Sequence, residues 1–420
     1  MNVTTKHGEI ETPNFFPIIG WPAGRGEYDR LFLSLEYFQD KISHKHFLFN
    51  FSSFAFGFKI PASEFDKSFM SYVKKDLRKS LVKKTGISKK AADSLIILLD
   101  VGGNRIFNKI VLDNKDVSNR ESYKPYIDVY FDFVKEANVD IYVSFDIGPS
   151  YSTRDEISKK GVRIWNELPP AAKLELNREL LDDSIKRKVD GSLIMVPVNG
   201  SNIASFEQHL KEVFSKHQKS VDYLAVGGIA NKGVKETELV LKTLRETLDK
   251  FQWKVKVHGL GLGGWRNIPL LIKYNIDSCD VATPWRRACT DAVSKAYIPL
   301  FDSELGVTQY EDAFKCYEIY DEIWDNVECG CPFCKDVPIK KIRELYKKAD
   351  KDKSGKTRHG NEYYEMRVRV FYHNVFQHIA FLKKLHIYKT KFGDRFLSKF
   401  CESVKSKRIK RYFDAYSNVL

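Results

Sequence analysis

The sequence predicts an α/β protein, a (β/α)8 TIM barrel followed by a C-terminal zinc-binding subdomain and a basic helical tail. Between residues 40 and 300, short apolar segments alternate with amphipathic, charged segments, and this alternation is typical of parallel strands joined by helices. The alternation repeats over roughly 250 residues, the usual span of a closed barrel. Aspartate, asparagine and glycine follow several apolar segments, at the strand ends where barrel enzymes carry their active sites.

Seven strands and three helices of the barrel are assigned from these segments. The strands are His46–Phe56, Ser94–Val101, Val139–Phe145, Ser192–Val198, Tyr223–Val226, Lys254–Gly259 and Ser278–Ala282. The helices are Pro125–Ala137, Glu207–His217 and Thr237–Lys250. The earlier segment Lys6–Gly20 is predicted as a β-hairpin or strand pair that closes the bottom of the barrel.

The character of the chain changes after residue 300. A helix is predicted at Asp312–Asp325, then a cysteine cluster, a polar loop at Lys347–Gly360 and a long helix at Tyr363–Leu385. We therefore expect three parts: the barrel over residues 1–300, the zinc-binding subdomain over residues 301–386 and the basic helical tail over residues 387–420.

The composition is that of an ordinary globular protein, with 43% hydrophobic and 30% charged residues among 420. No apolar run reaches the roughly 18 residues of a transmembrane helix. The N-terminal segment, Met1–Pro13, lacks the apolar run of a signal peptide. We therefore expect a cytoplasmic protein that does not enter a membrane, in which seven cysteines indicate metal ligands and buried thiols because disulfides are rare in that compartment.

The net charge is strongly positive. Lysine and arginine number 69 against 55 aspartate and glutamate residues, which gives a formal charge of +14. Each phosphate that a basic side chain neutralises releases a counterion, and an excess of this size favours nucleic acid as the partner.

Polar residues or glycine stand at five predicted strand ends, namely Asp100, Asp146, Asn199, Gly228 and Asp280. The loops that follow barrel strands converge on one pocket at the C-terminal rim. The same residue types also cap helices and form tight turns. Three aspartates at three separate strand ends nevertheless favour a shared functional site over packing.

Three cysteines lie within six residues: Cys329, Cys331 and Cys334. Thiolates at this spacing fit three vertices of a tetrahedral zinc site, and a histidine is the usual fourth ligand. We expect His373 to be that ligand, with His359 and His378 as the alternatives. Four protein ligands leave no open position on the metal, so this Zn²⁺ is expected to be structural.

Taken together, these motifs resemble the tRNA-guanine transglycosylase family, in the family's order, from about Lys6 to His378. The matching segments are His7–Pro13, Leu98–Gly103, Phe145–Asp146, Tyr223–Ala230, Ile276–Asp280, the cysteine cluster and His373–Asn374. The resemblance implies a TIM barrel, a structural Zn²⁺ and the exchange of guanine in nucleic acid for a 7-deazaguanine.

The resemblance also assigns roles to single residues. Asp280 is the expected nucleophile, which attacks C1′ of the target nucleoside, and Asp100 is the expected general acid and base. The remaining assignments are base binding by Asp146, Asn199, Gly228, Ile229, Leu260 and Phe107, nucleic-acid binding by Arg286 and Arg287, and zinc binding by Cys329, Cys331, Cys334 and His373.

Four motif residues depart from the family's pattern. Val101 stands in place of a serine, and Asn199 stands in place of a glutamine that reads the base. Asn104 replaces the aromatic residue that stacks on the base, so Phe107 or Leu260 is expected to supply that contact. Trp285 replaces the threonine of the segment that grips the tRNA anticodon loop.

Because the departures lie in motifs that face nucleic acid while Asp100 and Asp280 are kept, the sequence favours the divergent branch that inserts 7-deazaguanines into DNA. The expected partners are DNA in preference to tRNA, a free 7-deazaguanine base, and a second copy of the chain or a partner protein. Two other functions stay open: tRNA-guanine exchange of the queuosine or archaeosine type, and a non-catalytic subunit that binds nucleic acid.

Overall fold

A short antiparallel hairpin precedes the barrel in the computed structural model, which describes residues 2–19, 44–52, 76–85, 87–149, 156–200, 202–230, 232–285, 288, 331–333 and 361–403. The hairpin strands are β1 (Val3–Thr5) and β2 (Gly8–Ile10). The ammonium of Lys6 donates to Ser192 Oγ over 3.2 Å, and the ring of His7 hydrogen-bonds Asp140 over 2.8 Å. Ser192 and Asp140 each stand immediately before a barrel strand, so the hairpin covers the N-terminal end of the barrel.

Eight parallel strands close into the barrel: β3 (Asn14–Ile19), β4 (His46–Asn50), β5 (Ile96–Asp100), β6 (Ile141–Val143), β7 (Leu193–Val198), β8 (Tyr223–Val226), β9 (Lys256–Gly259) and β10 (Ser278–Val281). Each strand pairs with the next along the chain, and β10 pairs with β3 to close the ring. This ring confirms the predicted (β/α)8 fold.

Two strand predictions need correction. The predicted strand pair Lys6–Gly20 is divided between the hairpin and β3, because the apolar second half pairs in parallel with β10 and β4 as a barrel strand. The predicted strand His46–Phe56 ends at Asn50, and Phe51 and Ser52 already have helical backbone. The prediction ran too far because the residues after Asn50 are as apolar as the strand itself. The strand ends at the barrel rim, where the side chain of Asn50 donates a hydrogen bond to Asp100.

Twelve α-helices fall within the ranges that the structure describes: α1 (Leu77–Thr85), α2 (Lys89–Asp93), α3 (Gly103–Leu112), α4 (Lys124–Ala137), α5 (Glu156–Glu167), α6 (Pro170–Lys186), α7 (Ile203–His217), α8 (Val234–Lys250), α9 (Ile268–Lys273), α10 (Thr283–Trp285), α11 (Asn361–Phe392) and α12 (Phe396–Ser403). The three predicted barrel helices correspond to α4, α7 and α8. Helices α5 and α6, which join β6 to β7, were not among the predicted elements.

A buried ion pair lies beneath the strands. Arg78 on α1 donates through Nη2 to Asp140 Oδ2 over 2.6 Å, and the two side chains are 2% and 0% exposed. Asp140 also accepts the backbone N–H of Ile97 over 2.9 Å, while Arg78 donates to the carbonyl of Leu95. Charges this far from water are tolerated when they are paired and hydrogen-bonded, so this network ties α1, the β5 strand and the hairpin together at the bottom of the barrel.

The long helix α11 packs on one side of the barrel. Phe381 stacks on Trp265 with 4.8 Å between ring centroids, and Phe371 meets the edge of Trp285 at 5.5 Å. The helix continues through residue 386, where the sequence analysis places a boundary between subdomain and tail. The predicted boundary at residue 300, the helix Asp312–Asp325 and the loop Lys347–Gly360 lie outside the described residues. No helix in the described ranges is both long enough and apolar enough to cross a membrane.

Candidate active site

A cleft of ≈ 500 Å³ opens at the C-terminal ends of the barrel strands. It includes four strand-end residues that the sequence analysis selects, namely Asp100, Asp146, Asn199 and Gly228. Leu260, in the loop after β9, also lines it. The chain therefore brings side chains from distant points of the sequence into one site, because all eight strands run in the same direction.

Asp100, the last residue of β5, is held by a hydrogen-bond network. Its Oδ2 accepts from Asn50 Nδ2 over 2.7 Å, and Ser52 Oγ in turn donates to Asn50 Oδ1 over 2.5 Å. Burial, reinforced by the charge of Asp280, raises the pKa of Asp100 to about 6, although bonds from the Gly102 backbone and from Asn50 oppose the rise. A carboxyl group with a pKa near the working pH is suited to give and accept protons.

The glycine pair after Asp100 is required by the space around it. Gly102 has a φ of +67°, and a Cβ there would lie 2.2 Å from Asn50 Oδ1. A Cβ on Gly103 would lie 2.1 Å from the backbone oxygen of Asp146. The β5–α3 turn can therefore approach both Asn50 and the loop of Asp146 only without side chains at these two positions.

Asp146 lies in the loop after β6, close enough to Asp100 for the charge of one carboxylate to affect the other. Burial, with the charge of Asp100 as the second cause, raises the pKa of Asp146 to about 8, while a hydrogen bond from the Asn199 side chain opposes the rise. At neutral pH the Asp146 carboxyl is thus mostly protonated in the free site. The side chain of Asn199 lies close over Gly227, where a Cβ would be 2.3 Å from Asn199 Oδ1.

Asp280 on β10 is 2% exposed and its Oδ1 accepts two hydrogen bonds. One comes from the backbone N–H of Gly261 over 2.8 Å, and the other joins His258 Nε2 over 2.9 Å. His258 Nδ1 lies 2.8 Å from Ser278 Oγ, and the ring is fully buried. When Ser278 donates to Nδ1, Nε2 carries the proton and donates to Asp280, so the strand pair β9–β10 fixes the carboxylate.

Sequence reasoning did not select Asn50 or His258, although both orient a predicted catalytic carboxylate. Each had a signal in the sequence. Asn50 is a polar residue inside an apolar run, and the strand register pairs it with Asp100. His258 lies in the alternating strand that ends at Gly259, and its strand partner is Ser278, two residues before Asp280 on the same face.

The structure separates two predicted base-binding residues from the cleft. Phe107 is fully buried and makes a T-shaped contact with Trp165, with 5.4 Å between the ring centroids. Trp165, which lies above it on α5, lines the cleft instead. The expected stacking contact of Phe107 is therefore corrected: the ring supports Trp165 from below. Ile229 is 2% exposed and belongs to the core, while its neighbours Gly228 and Ala230 line the cleft.

At the far end of the described chain, Cys331 Sγ lies 3.3 Å from His373 Nδ1, and both side chains are buried. Two donors bound to one tetrahedral zinc at about 2.3 and 2.0 Å lie roughly 3.5 Å apart, so this pair fits a shared ion. The alternative ligand His378 instead accepts a hydrogen bond from Trp265 Nε1 over 3.1 Å.

Four further predicted site residues and one alternative ligand lie outside the described residues: Cys329, Cys334, Arg286, Arg287 and His359.

Comparison with known proteins adds one match. The family model described as Queuine tRNA-ribosyltransferase matches residues 67–353, more than half of the chain. The matched range contains the strand ends of Asp100, Asp146, Asn199 and Asp280. A search of curated proteins found no match to the chain.

Proposed function

Because the chain belongs to the tRNA-guanine transglycosylase family, whose members are pentosyltransferases that act on nucleic acid, we propose that it exchanges guanine in DNA for a free 7-deazaguanine base. The observation that carries the proposal is the convergence of three carboxyl groups, on Asp100, Asp146 and Asp280, at one end of the barrel. Their surroundings differ, and three different surroundings allow three roles in one site.

Asp280 is the proposed nucleophile. One carboxylate oxygen forms a bond to C1′ of the target nucleoside as the bond from C1′ to N9 of guanine breaks, and the electron pair of that bond leaves with the base. The developing positive charge on the sugar is stabilised by the negative charge of the Asp280 carboxylate. The hydrogen bonds from Gly261 and His258 hold Oδ1 and leave Oδ2 for the attack.

Asp100 is the proposed general acid and base. It gives its proton to the departing guanine in the first half of the reaction and takes the N9 proton of the incoming base in the second half. That nitrogen then attacks C1′, and the bond to Asp280 breaks. A pKa of about 6 suits both transfers near neutral pH, because neither the acid nor the base form is rare.

Asp146 is the proposed reader of the purine edge. A guanine or 7-deazaguanine presents two donors there, N1–H and the exocyclic amine, and an ionised carboxylate accepts both. Since the pKa of Asp146 is about 8 in the free site, binding of the base is coupled to release of a proton. Asn199 and the backbone around Gly228 are the proposed contacts for O6 and the 7-substituent.

The preference for DNA rests on changes in the residues that face the polymer. Asn104 lines the cleft at the position where the family's pattern has an aromatic residue that stacks on the base. Trp285, in the segment expected to grip tRNA, is only 7% exposed and packs on Phe371 of α11. The second candidate is exchange in tRNA, which the description of the matching family model favours. Retention of Asp100 and Asp280 disfavours the third, a non-catalytic subunit.

A structural Zn²⁺ is part of the proposal. Cys329, Cys331, Cys334 and His373 would hold it, and the contact between Cys331 and His373 supports that assignment. The ion would cross-link the segment around residue 331 to helix α11, because its ligands come from both. Its role would be structural, since four protein ligands leave no position on the metal for substrate. A second copy of the chain or a partner protein is also proposed as a binding partner.

The test supplies radiolabelled guanine to the purified protein with DNA and with bulk tRNA in separate reactions, beside the matched variant Asp280→Asn. The proposal expects label in DNA and none with the variant. Label in tRNA alone would contradict the DNA assignment and support the second candidate. Label in neither polymer would contradict catalysis and favour the binding subunit.

A further inference from the structure

The cleft extends beyond the residues that read one base. Helix α5 ends and helix α6 begins on the side of Asp146, and four of their side chains line the same cavity: Trp165, Asn166, Lys173 and Asn177. We call these four residues the annex. None of them belongs to the motifs that resemble the family, and the annex opens directly from the site of Asp100 and Asp146.

The annex has a fixed aromatic wall. Trp165 packs at a right angle against the ring of Phe107, a residue of α3 that is itself fully buried. Helices α3 and α5 are joined by a hydrogen bond from Asn108 Nδ2 to Ser158 Oγ over 3.1 Å, and Gly161 allows their close approach. Because α3 begins only three residues after Asp100, the position of the Trp165 ring is tied to the position of the proposed catalytic carboxyl.

Lys173 supplies an uncompensated positive charge. Its ammonium lies 5.6 Å from the centre of the Trp165 ring, and no carboxylate in the described part of the chain forms an ion pair with it. Burial alone lowers the pKa of Lys173. Lys232, on another wall of the cleft, already pairs with Glu236 over 3.5 Å. A partly desolvated cation without a protein counter-ion favours an anionic group of the substrate.

From this arrangement, and resting on the proposed function, we propose that the annex binds the nucleic-acid backbone beside the flipped guanosine. A phosphate contacts Lys173, and the adjoining sugar lies against Trp165. A base cannot reach the carboxyl groups while stacked in a helix, so its nucleotide must be flipped into the cleft. That nucleotide carries a phosphate on either side of its sugar, and the backbone must therefore pass the rim where the annex lies. The side-chain amides of Asn166 and Asn177 are donors suited to phosphate oxygens.

The first test compares Lys173→Gln with Lys219→Gln. Lys219 is an exposed lysine between α7 and β8, at the opposite end of the barrel, and it controls for the loss of one positive charge. Binding of a fluorescein-labelled single-stranded DNA oligomer is followed by anisotropy over a range of salt concentrations. Lys173→Gln is expected to weaken binding roughly tenfold, and to lower the slope of log K against log salt by about one. Lys219→Gln is expected to leave both unchanged.

The second test separates the polymer from the free base. In guanine exchange, Lys173→Gln and Trp165→Leu are expected to raise KM for the polymer and to leave KM for guanine unchanged. An increase in KM for the free base alone would overturn the proposal and assign the annex to the base. Equal binding and equal salt slopes for Lys173→Gln and the parent would also overturn it. If the parent binds DNA but exchanges no base, the proposed function fails, and the anisotropy measurements still show whether Lys173 contacts the backbone. Failure of the proposed function and failure of the annex proposal are therefore distinguishable.

Discussion

At the scale of single residues, the proposed active site gives chemically identical carboxyl groups different neighbours. Asp280 is anchored by a histidine and a backbone amide, Asp100 by an amide side chain and the backbone of its own turn. Asp146 has the least compensation: burial and the charge of Asp100 raise its pKa to about 8. A raised pKa of this kind means that the folded protein resists ionisation of the group, so the ionised form of Asp146 that the proposal requires lowers the stability of the fold.

Asp146→Asn is therefore expected to stabilise the protein at high pH. Between the unfolded pKa of 3.8 and the folded pKa of about 8, the folded state holds a proton on Asp146 that the unfolded state loses. The folded protein thus loses stability as pH rises through this window, and the penalty is complete above pH 8. One pKa unit corresponds to about 1.4 kcal/mol, so a gain of a few kcal/mol is expected above pH 8 and none near pH 4.

Urea denaturation from pH 5 to pH 9 measures this difference. The control, Asp190→Asn, removes an exposed carboxyl from the turn before β7. A loss of stability for Asp146→Asn at every pH would show that its carboxyl stabilises the fold and would contradict the account.

His258→Phe tests the anchoring of the nucleophile. Phenylalanine fills the buried space but cannot donate to Asp280, which is then held by Gly261 alone. We expect kcat to fall by roughly 10²-fold, as for a misplaced catalytic group, with little change in KM for the polymer. His258→Gln places an amide donor near the position of Nε2 and is expected to restore part of the rate. Equal rates for the two variants, at equal thermal stability, would argue against a positioning role.

At the scale of elements, the β5–α3 turn connects the stability of the fold to the proposed catalysis by Asp100. Gly102 has the left-handed backbone that favours glycine, and its missing Cβ leaves room for the Asn50 side chain that holds Asp100. Gly191 has a similar φ of +75°, but a Cβ at that position would have no other heavy atom within 4 Å. The pair therefore separates the cost of the backbone conformation from the cost of the contact.

Gly102→Ala is expected to destabilise the protein by more than Gly191→Ala, for which the left-handed conformation alone predicts about 1 kcal/mol. It is also expected to slow exchange, because the methyl group displaces Asn50 from Asp100. Chemical denaturation and steady-state rates check both effects. Equal stability losses, with an unchanged rate for Gly102→Ala, would contradict the role given to Asn50.

Strands and helices were predicted well where one hydrophobic periodicity dominated the segment. They were predicted less well where tertiary contacts determined which strand pairs with which and which side chain reaches the cleft. Strand β3 was missed as a barrel strand because its pairing with β10 joins residues at opposite ends of the barrel sequence. Phe107 was expected to contact the base and Trp165 was not considered, because only the packing of α5 on α3 shows which ring reaches the cleft. His258 was overlooked because polar inward positions near the rim of a barrel strand resemble solvent-facing positions in the sequence.

At the scale of the whole molecule, the two ends of the barrel carry different tasks. The C-terminal rim carries the cleft, and the N-terminal end carries the hairpin and the buried pair of Arg78 and Asp140. The ion pair lies on the opposite end of the strands from Asp100 and Asp280, so its loss should affect folding without touching the chemistry.

Arg78→Met leaves the carboxylate of Asp140 buried without its main counter-ion. Removal of one partner of a buried pair costs about 3–5 kcal/mol, and we expect a loss of this size in the free energy of unfolding. The double variant Arg78→Met with Asp140→Asn is expected to recover part of it. Denaturation measures both, and the rate per folded molecule should stay at the parent level. A single variant as stable as the parent would contradict the assigned role of the pair.

The central claim, that Asp280 forms a covalent bond to the sugar of a nucleic acid, is tested most directly by trapping that bond. The protein is mixed with DNA or tRNA, quenched with denaturant during turnover and analysed by denaturing electrophoresis and peptide mass mapping. We predict a protein–DNA adduct on the peptide that contains Asp280, absent from Asp280→Asn and present in Arg78→Met where that variant is folded. An adduct on another residue, or exchange of label without any dependence on Asp280, would contradict the account.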